Sequence, residues 1–196
     1  MLFTMVISLY TSRVILQVLG ADDFGIYNVV GGVVVLFSFL TNAMTSSTQR
    51  FLNYNFGLKN ESKVSHIFNV SILTHFTIFL LVLLLSETVG LWFVMTQLNI
   101  PVGRETATMW VYQMSVVTTL IGIMVIPYRA SIIAAERMSI FAYVSILEVA
   151  LKLVVVLVLS YMSFDNLVMY SILLTLVAML NFFIYQIECR RKLSFT

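Results

Sequence analysis

Charge is what this sequence has least of. Only 10% of its 196 residues are Asp, Glu, Lys or Arg, against roughly 25% in soluble domains. Hydrophobic residues make up 60%, against about 45–50%. A soluble fold of this size exposes too much of itself to water to hide that much apolar surface. An ordinary globular enzyme, a disordered chain and a nucleic-acid-binding domain are therefore excluded. Cysteine is scarce too: Cys189 stands alone, so no intrachain disulfide forms. With one cysteine and two histidines, His66 and His75, no usual structural zinc arrangement is at hand. The phosphate-cradling P-loop, the His-Glu-x-x-His pair, the Gly-x-Ser-x-Gly elbow and the potassium filter are all missing. The few acids lie mostly in connections and assemble no catalytic constellation. The expectation is a membrane protein that is not an enzyme and needs no cofactor.

What is present is long apolar runs. A spanning helix needs about 20 mostly apolar residues. Four stretches free of Asp, Glu, Lys and Arg are long enough: 24–49, 64–86, 106–128 and 166–187. Two more are interrupted by charge: 1–19 contains Arg13, and 139–161 contains Glu148 and Lys152. The fold expected is an all-α, polytopic helix bundle. It is a single domain with six transmembrane helices, over about 1–19, 26–49, 65–86, 106–128, 139–161 and 166–187. No alternating ten-residue strand pattern supports a barrel instead. The N-terminus carries no positive charge before its apolar run, so it reads as a first span rather than a signal peptide. Glu87 to Glu105 reads as an interfacial loop, with Trp92 in the aromatic belt. Pro127 is expected to kink the fourth span.

Cation placement sets the orientation. Arg50, Lys59, Lys63, Arg129, Arg137, Arg190, Arg191 and Lys192 follow the second, fourth and sixth spans, while the other side has only Arg104, among Asp22, Asp23, Glu105 and Asp165. The positive-inside rule puts both termini in the cytoplasm.

The polar residues inside the spans are patterned. In the second span Ser38, Thr41, Asn42, Thr45, Thr48 and Gln49 step by three and four, with Gly31 further along the same face. In the fourth, Thr108, Tyr112, Ser115, Thr118, Thr119 and Gly122 do the same. Helix packing explains such stripes, since small and polar residues gather at membrane helix contacts; a shared polar cavity also explains them, and two stripes in one small chain favour it. Charges weigh more, at about 2.5–3.5 kcal/mol each at a span centre. Glu148 and Lys152 are four apart and share a face with Ser145 nearby. They lie about 13 and 20 Å from Ser139, which brackets mid-bilayer. They form either a buried structural pair or a cavity-facing pair. Arg13 sits about 9 Å below the outer end of the first span, either snorkelling outward or facing a cavity with Gln17. Thr4, Ser8 and Thr11 form a separate face roughly opposite. Ala130, Ser131, Ala134 and Ala135 offer small-residue contacts. His66 and Cys189 read as interfacial, and His75 as packed.

The stretch Ser12-Arg13-Val14-Ile15-Leu16-Gln17-Val18-Leu19-Gly20-Ala21-Asp22-Asp23-Phe24-Gly25-Ile26-Tyr27 resembles the polysaccharide flippases of bacterial surface-polymer synthesis. These belong to the superfamily that also holds the multidrug and toxin extrusion antiporters and the lipid II flippase. Ser46-Ser47-Thr48-Gln49-Arg50-Phe51, and the region after Arg129 and Glu136-Arg137, look similar as well. The resemblance implies one six-helix lobe of a MATE-like transporter in the bacterial inner membrane. Family members have about twelve to fourteen helices in two bundles, so the chain is expected to be a fragment or a partner of a second six-helix lobe. That lobe is a missing C-terminal half, a separate chain or a second copy. The implied activity is flipping an undecaprenyl-pyrophosphate-linked oligosaccharide, with no nucleic acid involved. Arg13 and Lys152 would meet the pyrophosphate. Gln17, Asn42, Thr45, Gln49, Ser115, Thr119 and Glu148 complete the cavity candidates. An ion-coupled drug exporter of the same fold and a non-transporting scaffold subunit are the alternatives.

Overall fold

The computed structural model describes the backbone over residues 2–35, 39–58, 60–161 and 164–192. The side chains at 2–4, 6, 8, 35, 39–44, 61 and 192 lie outside the described set, and with them those of Thr4, Ser8, Thr41 and Asn42. Ser38 and Lys59 lie outside it altogether.

Seven α-helices follow one another: α1 Leu2–Val35, α2 Phe39–Gly57, α3 Glu61–Leu85, α4 Leu91–Thr96, α5 Glu105–Ala134, α6 Met138–Leu159 and α7 Asn166–Lys192. A π turn, Ser86–Gly90, joins α3 to α4. Among the described residues, four helical stretches are long and apolar enough to cross a membrane: Ser62–Thr96, Glu105–Ala134, Met138–Leu159 and Asn166–Arg191. They mark the chain as a helical membrane protein, and they match the last four expected spans.

The packing is centred on α5, which touches α1, α2, α3, α6 and α7. Of its most apolar stretch 44% is buried, against 22% for those of the α3–α4 segment and α6. The outer helices turn large apolar side chains outward instead, among them Leu73 and Leu84 of α3, Tyr143 and Ile146 of α6, and Leu180 and Phe183 of α7. Exposed apolar surface of this extent suits lipid, not water. Inside, Val30, Val82, Val111, Ile123, Val156 and Leu167 belong to one core. Ala130 and Ala134 pack on Leu52 and Val64, where small side chains let helices approach.

Several expectations change. The first is the loop over 87–105, since helix continues to Thr96. The π turn makes this possible. In it the Ser86 carbonyl accepts the Leu91 N–H, and the buried Tyr112 hydroxyl donates to the same oxygen at 2.6 Å. Gly90 leaves room for that hydroxyl, which a Cβ there would meet at 2.2 Å. Pro127, where a kink is expected, sits buried inside α5, and helix runs on past it to Ala134; Ser131 Oγ donates to the Pro127 carbonyl at 2.8 Å. A non-helical break in a long helix falls at Gly20 in α1, with φ 80° and ψ 172°. That conformation is essentially restricted to glycine. Ala21 to Asp23, between the first two expected spans, are helical. Cys189 is fully buried against Phe68.

Candidate functional site

Most hydroxyls in this bundle are satisfied locally. Thr11, Thr74, Thr77, Thr108 and Ser145 each donate to the carbonyl four residues earlier, the usual way a helix hides a hydroxyl in an apolar setting. Thr11 is thereby packed, on the same buried row as Ile15 and Leu19. Two expected cavity residues behave differently. Ser115 and Thr119 of α5 are half-buried and make no side-chain hydrogen bond among the described residues. Both line a recess of about 130 Å³ with Thr118, Tyr27, Gly31 and Ser171.

Three helices build this recess. Spacing of three and four along α5 puts Ser115, Thr118 and Thr119 on one side. The stretch of α1 after Gly20 brings Tyr27 and Gly31 against it, and α7 brings Ser171. Thr118 Oγ1 lies 2.9 Å from Thr175 Oγ1, whose own hydrogen goes to the Ser171 carbonyl at 2.9 Å. The Tyr27 and Tyr170 rings close one side edge to face, with centroids 4.9 Å apart. The result is a pocket with an aromatic wall, two free hydroxyls and a glycine opposite. Such a surface suits a ligand rich in hydroxyl groups, because each exposed Oγ both donates and accepts.

The α2 stripe goes elsewhere. Thr48 is buried and accepts from Ser71 Oγ of α3 at 3.4 Å. Thr45 is half-buried. Gln49 lines a separate cavity of about 600 Å³, with Asn53, Phe56, Glu136 and Met138, near the turn between α5 and α6. Asn42 belongs to α2 by its backbone, and its side chain lies outside the described residues. Among the described residues of the two stripes, Gly31 is the one that lines the recess with Ser115 and Thr119, and Gln49 is not brought there.

Glu148 and Lys152 do pair, Nζ to Oε1, at 2.6 Å. Their row on α6 is Val144, Glu148, Lys152, Val156. Both ends of that row are buried, at 4% and 1%, yet the paired side chains between them keep 38% and 46% exposure. The row thus faces the bundle at its ends and open space in its middle. Tyr185 of α7 lies near Ser145, within the electrostatic reach of Arg129 and Glu148. Arg13 and Gln17 of α1 are exposed, on the side away from Thr11, Ile15 and Leu19. The break at Gly20 comes after both faces and does not bring them together.

At the cation-poor end the charges are gathered tightly. Arg104 donates to Asp165 at 2.6 Å and to Asp23 on α1. Asp165 also accepts from the Leu167 N–H at 3.1 Å, starting α7. One guanidinium thus ties the helix after Gly20 to both connections at this end, which agrees with counting these residues on one side. Asp23 is 5% exposed. Burial pushes its carboxyl above the ordinary value, against the opposing pull of Arg104.

Sequence reasoning missed a third polar face, on α7, where Ser171, Thr175, Asn181 and Tyr185 are buried. The four-residue steps from Ser171 to Thr175 and from Asn181 to Tyr185 were the available signal. Among the described residues no cluster of three His, Cys, Asp or Glu is placed to hold a metal ion. The chain matches no family model, no curated protein and no solved structure.

Proposed function

We propose that the chain is one six-helix lobe of a MATE-like flippase that moves a lipid-linked oligosaccharide across the bacterial inner membrane for surface polysaccharide synthesis. In this reading the segments over 1–19 and 26–49 also span, and both termini face the cytoplasm. A second six-helix lobe completes the path, and the two alternate in access around the substrate.

One observation carries the reading: the recess lined by Gly31, Ser171, Ser115 and Thr119, in which the Ser115 and Thr119 hydroxyls, unbonded among the described residues, match a sugar's need for partners. The charged groups support it. Lys152 and Arg13 keep their heads accessible at membrane depth, where a pyrophosphate would need cations. The drug-exporter alternative asks for an uncommitted acid, and Glu148 is engaged by Lys152 at 2.6 Å.

The test is export in cells that depend on this protein. Ser115→Val with Thr119→Val should reduce surface polymer at unchanged protein level, and Arg13→Gln with Lys152→Gln should abolish it. Undiminished export in both would refute the reading.

A further inference from the structure

His75 lies in the middle of α3, about 21 Å along the helix from Glu61, and is completely buried. Its Nδ1 is 2.8 Å from the Ser71 carbonyl. A carbonyl only accepts, so Nδ1 carries the hydrogen and Nε2 presents a bare lone pair. That Nε2 is buried with no hydrogen-bond partner among the described residues. The Ser71 hydroxyl sits 3.4 Å from Nδ1 and donates, also at 3.4 Å, to Thr48 on α2. Both contacts are long for hydrogen bonds between such groups. The α2–α3 seam beside this imidazole is therefore hydroxyl to hydroxyl and weak, a contact that water replaces at little cost.

The elements packed on α3 are α2, α5, the π turn and, where Phe68 meets Cys189, α7. They carry Arg50 and Tyr54, Glu105, Tyr112, Tyr128 and Arg129, Glu87, and Tyr170, Tyr185, Glu188, Arg190 and Arg191. The hydrogen-bond contacts of the imidazole among the described residues are those to the Ser71 carbonyl and hydroxyl. A proton on Nε2 would make a cation here with neither acceptor nor counter-charge among the described residues, which is costly in an apolar interior.

We propose that His75 is a buried proton-binding site whose occupancy is linked to separation of α2 from α3. The proton comes from water and adds to the Nε2 lone pair, the Nδ1 hydrogen stays on the Ser71 carbonyl, and the ring gains one positive charge. The closed arrangement holds the neutral ring; the parted arrangement admits water to Nε2 and holds the cation. Falling pH therefore shifts the population towards the parted state. This goes beyond the transport reading and does not depend on it.

The experiment places spin labels at Ser47→Cys and Asn69→Cys, exposed positions on α2 and α3, in a Cys189→Ala background of the full chain in lipid nanodiscs. Label-to-label distance is read from pH 8 to pH 5. The expected result is a longer-distance population whose ratio to the short one rises by up to about tenfold per pH unit, the limit for one proton. His75→Gln should hold the short distance throughout. Ser71→Ala, which keeps the backbone carbonyl but loses the link to Thr48, should move the transition to higher pH. Nitrogen chemical shifts of His75 in the otherwise unsubstituted chain provide a check that needs no histidine variant: the Nδ1–H neutral ring at pH 8, with the imidazolium signal growing alongside the longer distance. A pH-invariant distance, the same shift in folded His75→Gln, or an imidazolium that forms without separation would each overturn the proposal.

Discussion

Helices α1 and α5 are both long, and each contains a residue known for breaking helices. α1 breaks at its glycine, while α5 passes through its proline. The difference lies in what surrounds each residue. Pro127 is buried in the central helix, and helical backbone continues on both sides of it. Gly20 has open space around its Cα, and the segment after it is held in a new direction by Arg104 on Asp23. The chemical breaker sets what is allowed; the packing decides whether the chain bends.

That comparison breaks most sharply at Gly20. Gly20→Val places a branched side chain at φ 80° and should cost about 3 kcal/mol, measured by denaturant unfolding in detergent. Next is the third irregularity, the π turn. Gly90→Ala drives a Cβ into the Tyr112 hydroxyl and should cost about 2 kcal/mol, most of it recovered in the double variant with Tyr112→Phe. Arg104→Met should cost about 1 kcal/mol, less than a fully buried pair would, because the guanidinium is 36% exposed. It should also widen the distance spread between labels on α1 and α7. Pro127→Ala should change stability by less than about 1 kcal/mol, since a regained backbone hydrogen bond offsets the lost packing, and should leave the course of α5 unaltered.

The smallest effect is one of pH. Asp23 has a folded-state carboxyl raised above its ordinary 3.8, so the folded chain holds that proton more tightly than the unfolded one. Its contribution is fully present below 3.8 and is lost as pH rises through the raised value. A pH series of unfolding curves should show the wild type losing stability, relative to Asp23→Asn, as pH climbs through that window.

The long elements were readable because lipid imposes length and apolarity on them. The spans over 64–86, 106–128 and 166–187 sit inside helical stretches of the structure, and that over 139–161 overruns its helix by two residues. A boundary after Leu19 was also readable, and the four-residue spacing of Glu148 and Lys152 sufficed to pair them. Ser115 and Thr119 were singled out from their stripe, but nothing in the stripe said that they, unlike Thr118, would be left without a bond. That depends on Thr175, far along the chain. The helix beyond Ser86 was hidden for a similar reason. Glu87 and Gly90 look like breakers until Tyr112 is placed against the Ser86 carbonyl. The orphan nitrogen of His75 is likewise a property of its neighbours, not of its own segment.

The sole thiol of the protein is fully buried, wedged against Phe68 where α3 meets α7. No reagent reaches Cys189 while the helices stay together, and no second cysteine obscures the signal. Its rate of alkylation therefore works as a built-in stopwatch for how often this part of the bundle comes apart, readable on the natural sequence without adding a probe.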